Sequence, residues 1–123
     1  MDTISSFNPK LFFDKYWEKK PVIIDKIIDK KTIKNIDINE VAGLALEDEV
    51  VSRLLSYEHK LKPKLEIDYG PFTSDKISSL NASEPWTLLI QDVEKYIEPI
   101  SKVMNVFNFL PFDFLDDAMA SIS

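Results

Sequence analysis

The chain contains no cysteine, a single histidine (His59) and only two glycines, Gly43 and Gly70. Without cysteine there are no disulfides and no thiolate metal sites. With one imidazole, no site built on several histidines fits within the 123 residues. Neither glycine stands in a glycine-rich, phosphate-cradling loop. No apolar run approaches the roughly 18 residues of a membrane-spanning helix, so no membrane partner is expected. The N-terminus, Met1-Asp-Thr-Ile-Ser-Ser6, has neither the basic nor the apolar region of a secretory signal. A cytoplasmic protein is the expectation. Basic residues are the minority as well: 15 Lys and Arg face 21 Asp and Glu, for a net charge of −6. Direct binding to nucleic-acid phosphates needs clustered cations, so that class is disfavoured. A basic protein partner is compatible with this charge.

What is present suits a folded core. Hydrophobic residues make up 45% of the chain, including eight Phe, four Tyr and two Trp. The length fits one domain over residues 1–123. Asn8-Pro9 reads as a helix cap followed by proline at the first helical position. Phe12/Tyr16 and Phe13/Trp17 then fall at helical spacing, and Pro21 stops that helix. Pro21 to Ile24 reads as a short buried strand, and Asp25 to Asn35 as a charged loop. Asp37 opens a second helix with Glu40 three residues on. Val41, Leu44 and Ala45 form its apolar stripe, with Ala42 and Gly43 permitting close packing.

Val50 to Tyr57 and Lys64 to Tyr69 read as two strands joined through Glu58 to Pro63. In the second, Leu65, Ile67 and Tyr69 alternate inward and Lys64, Glu66 and Asp68 outward. Gly70-Pro71-Phe72 is a turn, and Thr73 or Ser74 caps a short helix over Asp75 to Leu80. Trp86 to Ile90 is an apolar strand or helix start. From Asp92, Val93, Tyr96, Ile97, Ile100, Met104 and Phe107 keep helical spacing, and Pro99 should kink or divide that helix. Interleaved elements without regular βαβ units give an α+β class.

The last stretch, Phe114 to Ser123, alternates from Asp116 onward. Asp117, Met119, Ser121 and Ser123 point to one face of a strand; Asp116, Ala118, Ala120 and Ile122 point to the other. The first set suits the wall of a pocket and the second suits packing. No returning strand follows in the sequence, so this strand is expected to lack a partner for its backbone groups.

Candidate chemistry is sparse. His59, in Tyr57-Glu-His-Lys60, has no convergent partner nearby in sequence and reads as a solvated loop residue. Glu47-Asp48-Glu49 does not converge on one point and reads as a solvated helix end. Asp116 and Asp117, adjacent on a strand, face opposite sides and cannot share a proton. One of them is expected to turn inward and take a structural hydrogen bond or ion pair, with Arg53, the only arginine, as a partner. Tyr16, Trp17 and Trp86 read as core. No residue of the chain is assigned as catalytic or as a metal ligand.

Several blocks nevertheless occur in a recognisable order. They are Tyr16-Trp17-Glu-Lys-Lys-Pro-Val-Ile-Ile24, Val41-Ala-Gly-Leu-Ala-Leu-Glu47, Val51-Ser-Arg-Leu54, Gly70-Pro-Phe72, Trp86-Thr-Leu-Leu-Ile-Gln-Asp-Val93 and Asp116-Asp117-Ala-Met119-Ala-Ser121-Ile-Ser123. Together they resemble the N-terminal third of the bacterial ribosomal oxygenases, cupin-type, JmjC-like proteins that hydroxylate an arginine on a large-subunit ribosomal protein. The resemblance implies an Fe(II)- and 2-oxoglutarate-dependent oxygenase on a double-stranded β-helix, with residues 114–123 as its first core strand. It implies the remainder of the barrel, its His-x-Asp and distal His iron ligands, and the family's homodimer region in sequence beyond this match. A facial triad of that kind leaves open positions on iron for co-substrate and O₂. His59 does not match a ligand position, and Asp113-Phe114 stands where the family has a Trp-Arg pair.

Two expectations follow. In the first, the chain is a truncated N-terminal portion that binds no cofactor and is inactive alone. Its Asp117, Met119 and Ser121 would border a substrate pocket, an Asp being suited to pair with a guanidinium, and Arg53 and Asp116 would be structural. In the second, it is a non-catalytic acidic adaptor derived from that family.

Overall fold

The computed structural model describes residues 1–58, 64–80 and 84–123, so His59 and most of the predicted 58–63 connection lie outside the described residues. A four-stranded sheet organises the molecule. Strands β3 (Ser52–Glu58), β4 (Lys64–Tyr69), β5 (Trp86–Ile90) and β6 (Ala120–Ile122) lie in the order β4-β3-β5-β6, all neighbours antiparallel. Register follows from which residues face the same side: Leu54 sits opposite Leu88, Ile90 opposite Ala120, and Leu88 opposite Ile122. That face carries the core. Leu54, Leu88 and Ile90 are at most 1% exposed. They pack against Val41 and Ala45 from one side and Val93 and Ile97 from another, with Ala118, Ala120 and Ile122 closing over them. Full burial of side chains this size contributes about 1.5–3 kcal/mol each.

The helices are built from local signals. Asn8 accepts from the N–H groups of Lys10 and Leu11 and starts α1 (Pro9–Lys15). Asp37 accepts from the Asn39 N–H and starts α3 (Ile38–Gly43), which tightens into a 3₁₀ turn over Leu44–Leu46. Thr73 Oγ1 accepts from Lys76 N–H at 3.2 Å and starts α4 (Ser74–Ser78). Proline divides the predicted long helix: a 3₁₀ turn at Val93–Lys95 is followed by α5 (Glu98–Asn105), with Pro99 in its first turn, where a missing N–H is harmless.

A smaller assembly holds the N-terminal end. Strand β1 (Asp2–Ile4) pairs in parallel with β2 (Val22–Ile24), with α1 crossing between them. Asp2 binds the two strands to α1 and its exit: its carboxylate accepts from Lys20 Nζ at 3.0 Å and Tyr16 Oη at 3.2 Å. Phe109 meets Phe7, Phe12 and Phe13 at centroid distances of 4.6, 5.4 and 6.2 Å. Trp17 stands edge-on to Phe114 at 5.2 Å. Phe109 and Phe114 thus close a satellite aromatic cluster over α1 and its exit.

Several expectations require correction. The stretch 25–35 is not all loop, since Asp29 caps α2 (Lys30–Lys34). β2 is not buried: Ile23 is 52% exposed. Gly43 allows no close approach, because nothing lies within 4 Å of where its Cβ would be; the glycine that does is Gly70. Leu65, Ile67 and Tyr69 do share one face, but that face is open to solvent along the whole of β4. Alternation had distinguished the two faces of the strand without saying which one another layer covers.

Candidate functional site

The C-terminal stretch is a strand only at its end. Phe112–Phe114 forms a 3₁₀ turn, residues 115–119 are irregular, and β6 begins at Ala120. β6 also has a partner, contrary to expectation: it pairs with β5 along one edge. The irregular part has a physical cause. β5 ends at Ile90, and the chain turns away through Asp92, held at φ 57°. Residues 117–118 therefore bond to that turn instead of to a ladder. Asp117 Oδ2 accepts from the Asp92 N–H at 3.2 Å. The Val93 N–H donates to Ala118 O at 3.0 Å, and the Ala118 N–H donates to Glu94 Oε2 at 3.3 Å.

This bonding sorts the candidate residues. Ala118, Ala120 and Ile122 are half-buried against the core, and Met119, Ser121 and Ser123 are exposed, as the alternation predicts. The acidic pair departs from it. Asp116 is exposed rather than inward, and Asp117 is the half-buried one. Arg53 is not paired with Asp116: among the described residues, the ion pairs within 4.0 Å are Lys15–Asp2, Lys20–Asp2, Lys95–Asp92 and Lys102–Glu98. Instead Arg53 lies on the sheet face opposite the core. Tyr69, Arg53, Leu89 and Ser121 stand in one row across all four strands of the sheet. The sequence reading missed this row. The period-two alternation of β3 puts Arg53 with Leu55 and Tyr57, but only the inter-strand register places it in line with Ser121.

The open face is the candidate site. It is an apolar surface with one guanidinium, made by Leu55, Tyr57, Leu65, Ile67, Tyr69 and Leu89. Tyr57, Leu65, Ile67 and Tyr69 are each more than two-fifths exposed. A depression of about 710 Å³ near its end is lined by Leu55, Tyr57, Leu65, Trp86, Thr87 and Ser123. A second, of about 370 Å³, lies between α5 and the 114–118 segment, with Asp116 and Asp117 at its wall. Met119 and Ser121 do not line this second depression with Asp117, so these three do not enclose one cavity. The surface can hold an apolar layer or an extended segment. The chain has one histidine and no cysteine, and among the described residues no three His, Asp or Glu side chains converge as a metal site. That donor set does not fit an iron centre.

No protein-family model matches the chain. Two curated relatives do. It is 37% identical over 113 residues to the ribosomal protein uL16 3-hydroxylase of Escherichia coli strain K12, a match covering 91% of this chain and 28% of the relative. It is 25% identical over 113 residues to a probable ribosomal oxygenase of Haemophilus influenzae, covering 92% of this chain and 27% of that one. Among solved structures, the E. coli ribosomal oxygenase YcfD superposes with a TM-score of 0.72 at 34% identity, over 98% of this chain and 32% of that chain. The same protein has been solved with cobalt and 2-oxoglutarate, again at TM-score 0.72 and 34% identity. The chain thus spans less than a third of the length of the proteins it matches, and what it matches is the N-terminal part of a ribosomal oxygenase.

Proposed function

We propose that this chain, which matches the N-terminal part of a ribosomal oxygenase, is the non-catalytic scaffold portion of an Fe(II)- and 2-oxoglutarate-dependent hydroxylase. The substrate would be a large-subunit ribosomal protein, met in the cytoplasm. The observation that carries this reading is the agreement of sequence and fold over nearly the whole chain with the E. coli relative. Among the described residues there is no metal ligand set, and on this reading the chain by itself neither binds iron nor turns over 2-oxoglutarate. Residues 114–123 would enter the first core strand of a cupin barrel, and the 123 residues would behave as one domain. Asp117, Met119 and Ser121 would border the substrate on the approach to that barrel. Of these, Asp117 also has a structural duty, since its carboxylate is engaged by the Asp92 N–H.

A chimera tests the reading. Residues 1–123 replace the corresponding segment of the E. coli relative, and hydroxylation of its ribosomal protein is measured by mass spectrometry. Retained activity is expected, with Met119→Ala and Ser121→Ala raising KM and leaving the melting temperature unchanged. A folded chimera that fails to hydroxylate refutes the scaffold role and leaves the acidic-adaptor reading in its place. The isolated chain should show no stoichiometric Fe(II) binding and no succinate release.

A further inference from the structure

We propose that Glu94 is a positioning residue for the carboxylate of Asp117. That Asp117 borders the substrate rests on the reading above; the linkage between the two residues rests on geometry. Asp117 lies in the stretch 115–119, which belongs to no strand, so no ladder fixes its backbone. Three hydrogen bonds to the turn after β5 do so instead. The Asp92 N–H donates to Asp117 Oδ2 at 3.2 Å. The Val93 N–H donates to Ala118 O at 3.0 Å. The Ala118 N–H donates to Glu94 Oε2 at 3.3 Å. Of the three groups that the turn supplies, Glu94 alone is a side chain.

These bonds act on both ends of Asp117. The peptide unit between Asp117 and Ala118 is planar, so holding the Ala118 N–H also holds the carbonyl of Asp117. That fixes the base from which the Asp117 side chain leaves the backbone. The Asp92 N–H then fixes its tip. Oδ2 is engaged, yet an ionised carboxylate offers about four acceptor sites. It can therefore still take a bidentate guanidinium. A carboxylate oriented in advance loses less freedom when that ligand arrives.

The turn is a firm support. Val93 and Ile97 are 1% and 2% exposed and belong to the core. The Lys95 and Ile97 N–H groups close the turn onto Asp92 O and Val93 O, each at 3.0 Å. Asp92 holds φ 57° and ψ 31°, a left-handed conformation that persists where the surroundings over-determine it. Its own carboxylate is paired with Lys95 Nζ at 3.5 Å. Glu94, half-buried beside it, is the acid that reaches across to Ala118.

The test uses the chimera that carries residues 1–123. KM and kcat for the ribosomal protein are measured with Glu94→Ala, Glu94→Gln, Asp117→Ala and the Glu94→Ala/Asp117→Ala double variant. Glu94→Ala should raise KM about tenfold, equivalent to about 1.4 kcal/mol, and leave kcat within about twofold. Glu94→Gln keeps an acceptor oxygen and should restore KM. With the Asp117 carboxylate already gone, Glu94→Ala should add nothing, because it acts through that group. Glu98→Gln, which removes a carboxylate of α5 that is 81% exposed, should leave KM unchanged. An unchanged KM in Glu94→Ala overturns the proposal. So does a double variant whose KM rises by the product of the two single effects, the mark of a structural bond unconnected with Asp117. A wild-type chimera that folds and does not hydroxylate removes the reading above instead. The linkage is then decided on the 123-residue chain by exchange of the Asp92 amide hydrogen. Glu94→Ala should speed that exchange about tenfold and Glu94→Gln should not; equal rates in both variants and the wild type overturn the linkage.

Discussion

Replacing Gly70 by alanine probes the more closely packed of the two glycines. Gly70 leaves the end of β4, and its N–H donates to Ser52 O at 2.9 Å. A Cβ at this position would fall on the Ser52 Oγ, with Ser52 Cβ and Phe72 Cε2 each 3.4 Å away. No glycine here has a left-handed φ, so the penalty is steric and not conformational. Overpacking a buried site costs about 1–3 kcal/mol. Loss of glycine's freedom in the unfolded chain offsets about 0.4–1 kcal/mol of that. Gly70→Ala should therefore destabilise by roughly 1–2 kcal/mol. A chain of this length loses about 3–5 °C of melting temperature per kcal/mol.

The obstacle is itself a removable atom. Ser52 is 3% exposed, and its Oγ has no hydrogen-bond partner among the described residues. A buried hydroxyl without a partner costs about 1–3 kcal/mol. Ser52→Ala alone should leave stability unchanged or raise it. Adding Ser52→Ala to Gly70→Ala should restore at least wild-type stability. Urea melts of the four proteins, followed by circular dichroism, yield the coupling energy directly. If Gly70→Ala is harmless, or if Ser52→Ala fails to rescue it, the close approach between β4 and β3 is not what holds this turn.

Gly43 is the contrasting case. It ends α3 at φ −61° and ψ −25°, with nothing within 4 Å of a prospective Cβ. Gly43→Ala should stabilise by about 0.5–1 kcal/mol, and a chemical melt with a lowered midpoint would contradict this. Asp2 offers a pH test. Hydrogen bonds from Lys20 and Tyr16, with the Lys20 and Lys15 charges, hold its carboxyl below 3.8. The fold thus favours the ionised form. Its contribution is complete above pH 3.8 and is lost as the pH falls through the lower folded value. Lys20→Met should move the Asp2 midpoint, read by carboxyl-carbon NMR titration, upward towards 3.8; an unmoved midpoint would show that Lys20 is not its main partner.

Signals confined to a few residues were legible in the sequence. Asn8, Asp37 and the Thr73-Ser74 pair each announced a helix start because a cap is a local bond between a side chain and the next turn, and the structure gives the third cap to Thr73. Pro99 announced the division of a helix for the same reason. Strands β3 and β4 were legible from short alternating runs, whereas Trp86–Ile90 read equally as a strand or a helix start and is made a strand by pairing with β3 and β6. What failed depended on distant partners. β1 has three residues and owes its conformation to parallel pairing with β2. α2 is five residues long, too short to show a period, and is held by its Asp29 cap and by packing on α5. The 115–119 stretch alternates but is not a strand, because β5 has already turned away at Asp92. For the candidate site, the exposure of Met119 and Ser121 was legible and the bond from Asp92 to Asp117 was not. Arg53 was assigned an acidic partner on charge alone, and register placed it on the other face.

The satellite aromatic cluster divides the chain's optical signals. Trp17 sits among Phe12, Phe13 and Phe114, whereas Trp86 begins β5 at the rim of the main core. These are the only two tryptophans. Each packing unit therefore carries its own fluorophore, and replacing one by phenylalanine leaves the other as a clean emission reporter. Trp17 reads the grip of the N-terminal helix on the segment leading to β6. Trp86 reads the sheet. Loosening of that grip ahead of the sheet, or together with it, can thus be timed without attaching any label.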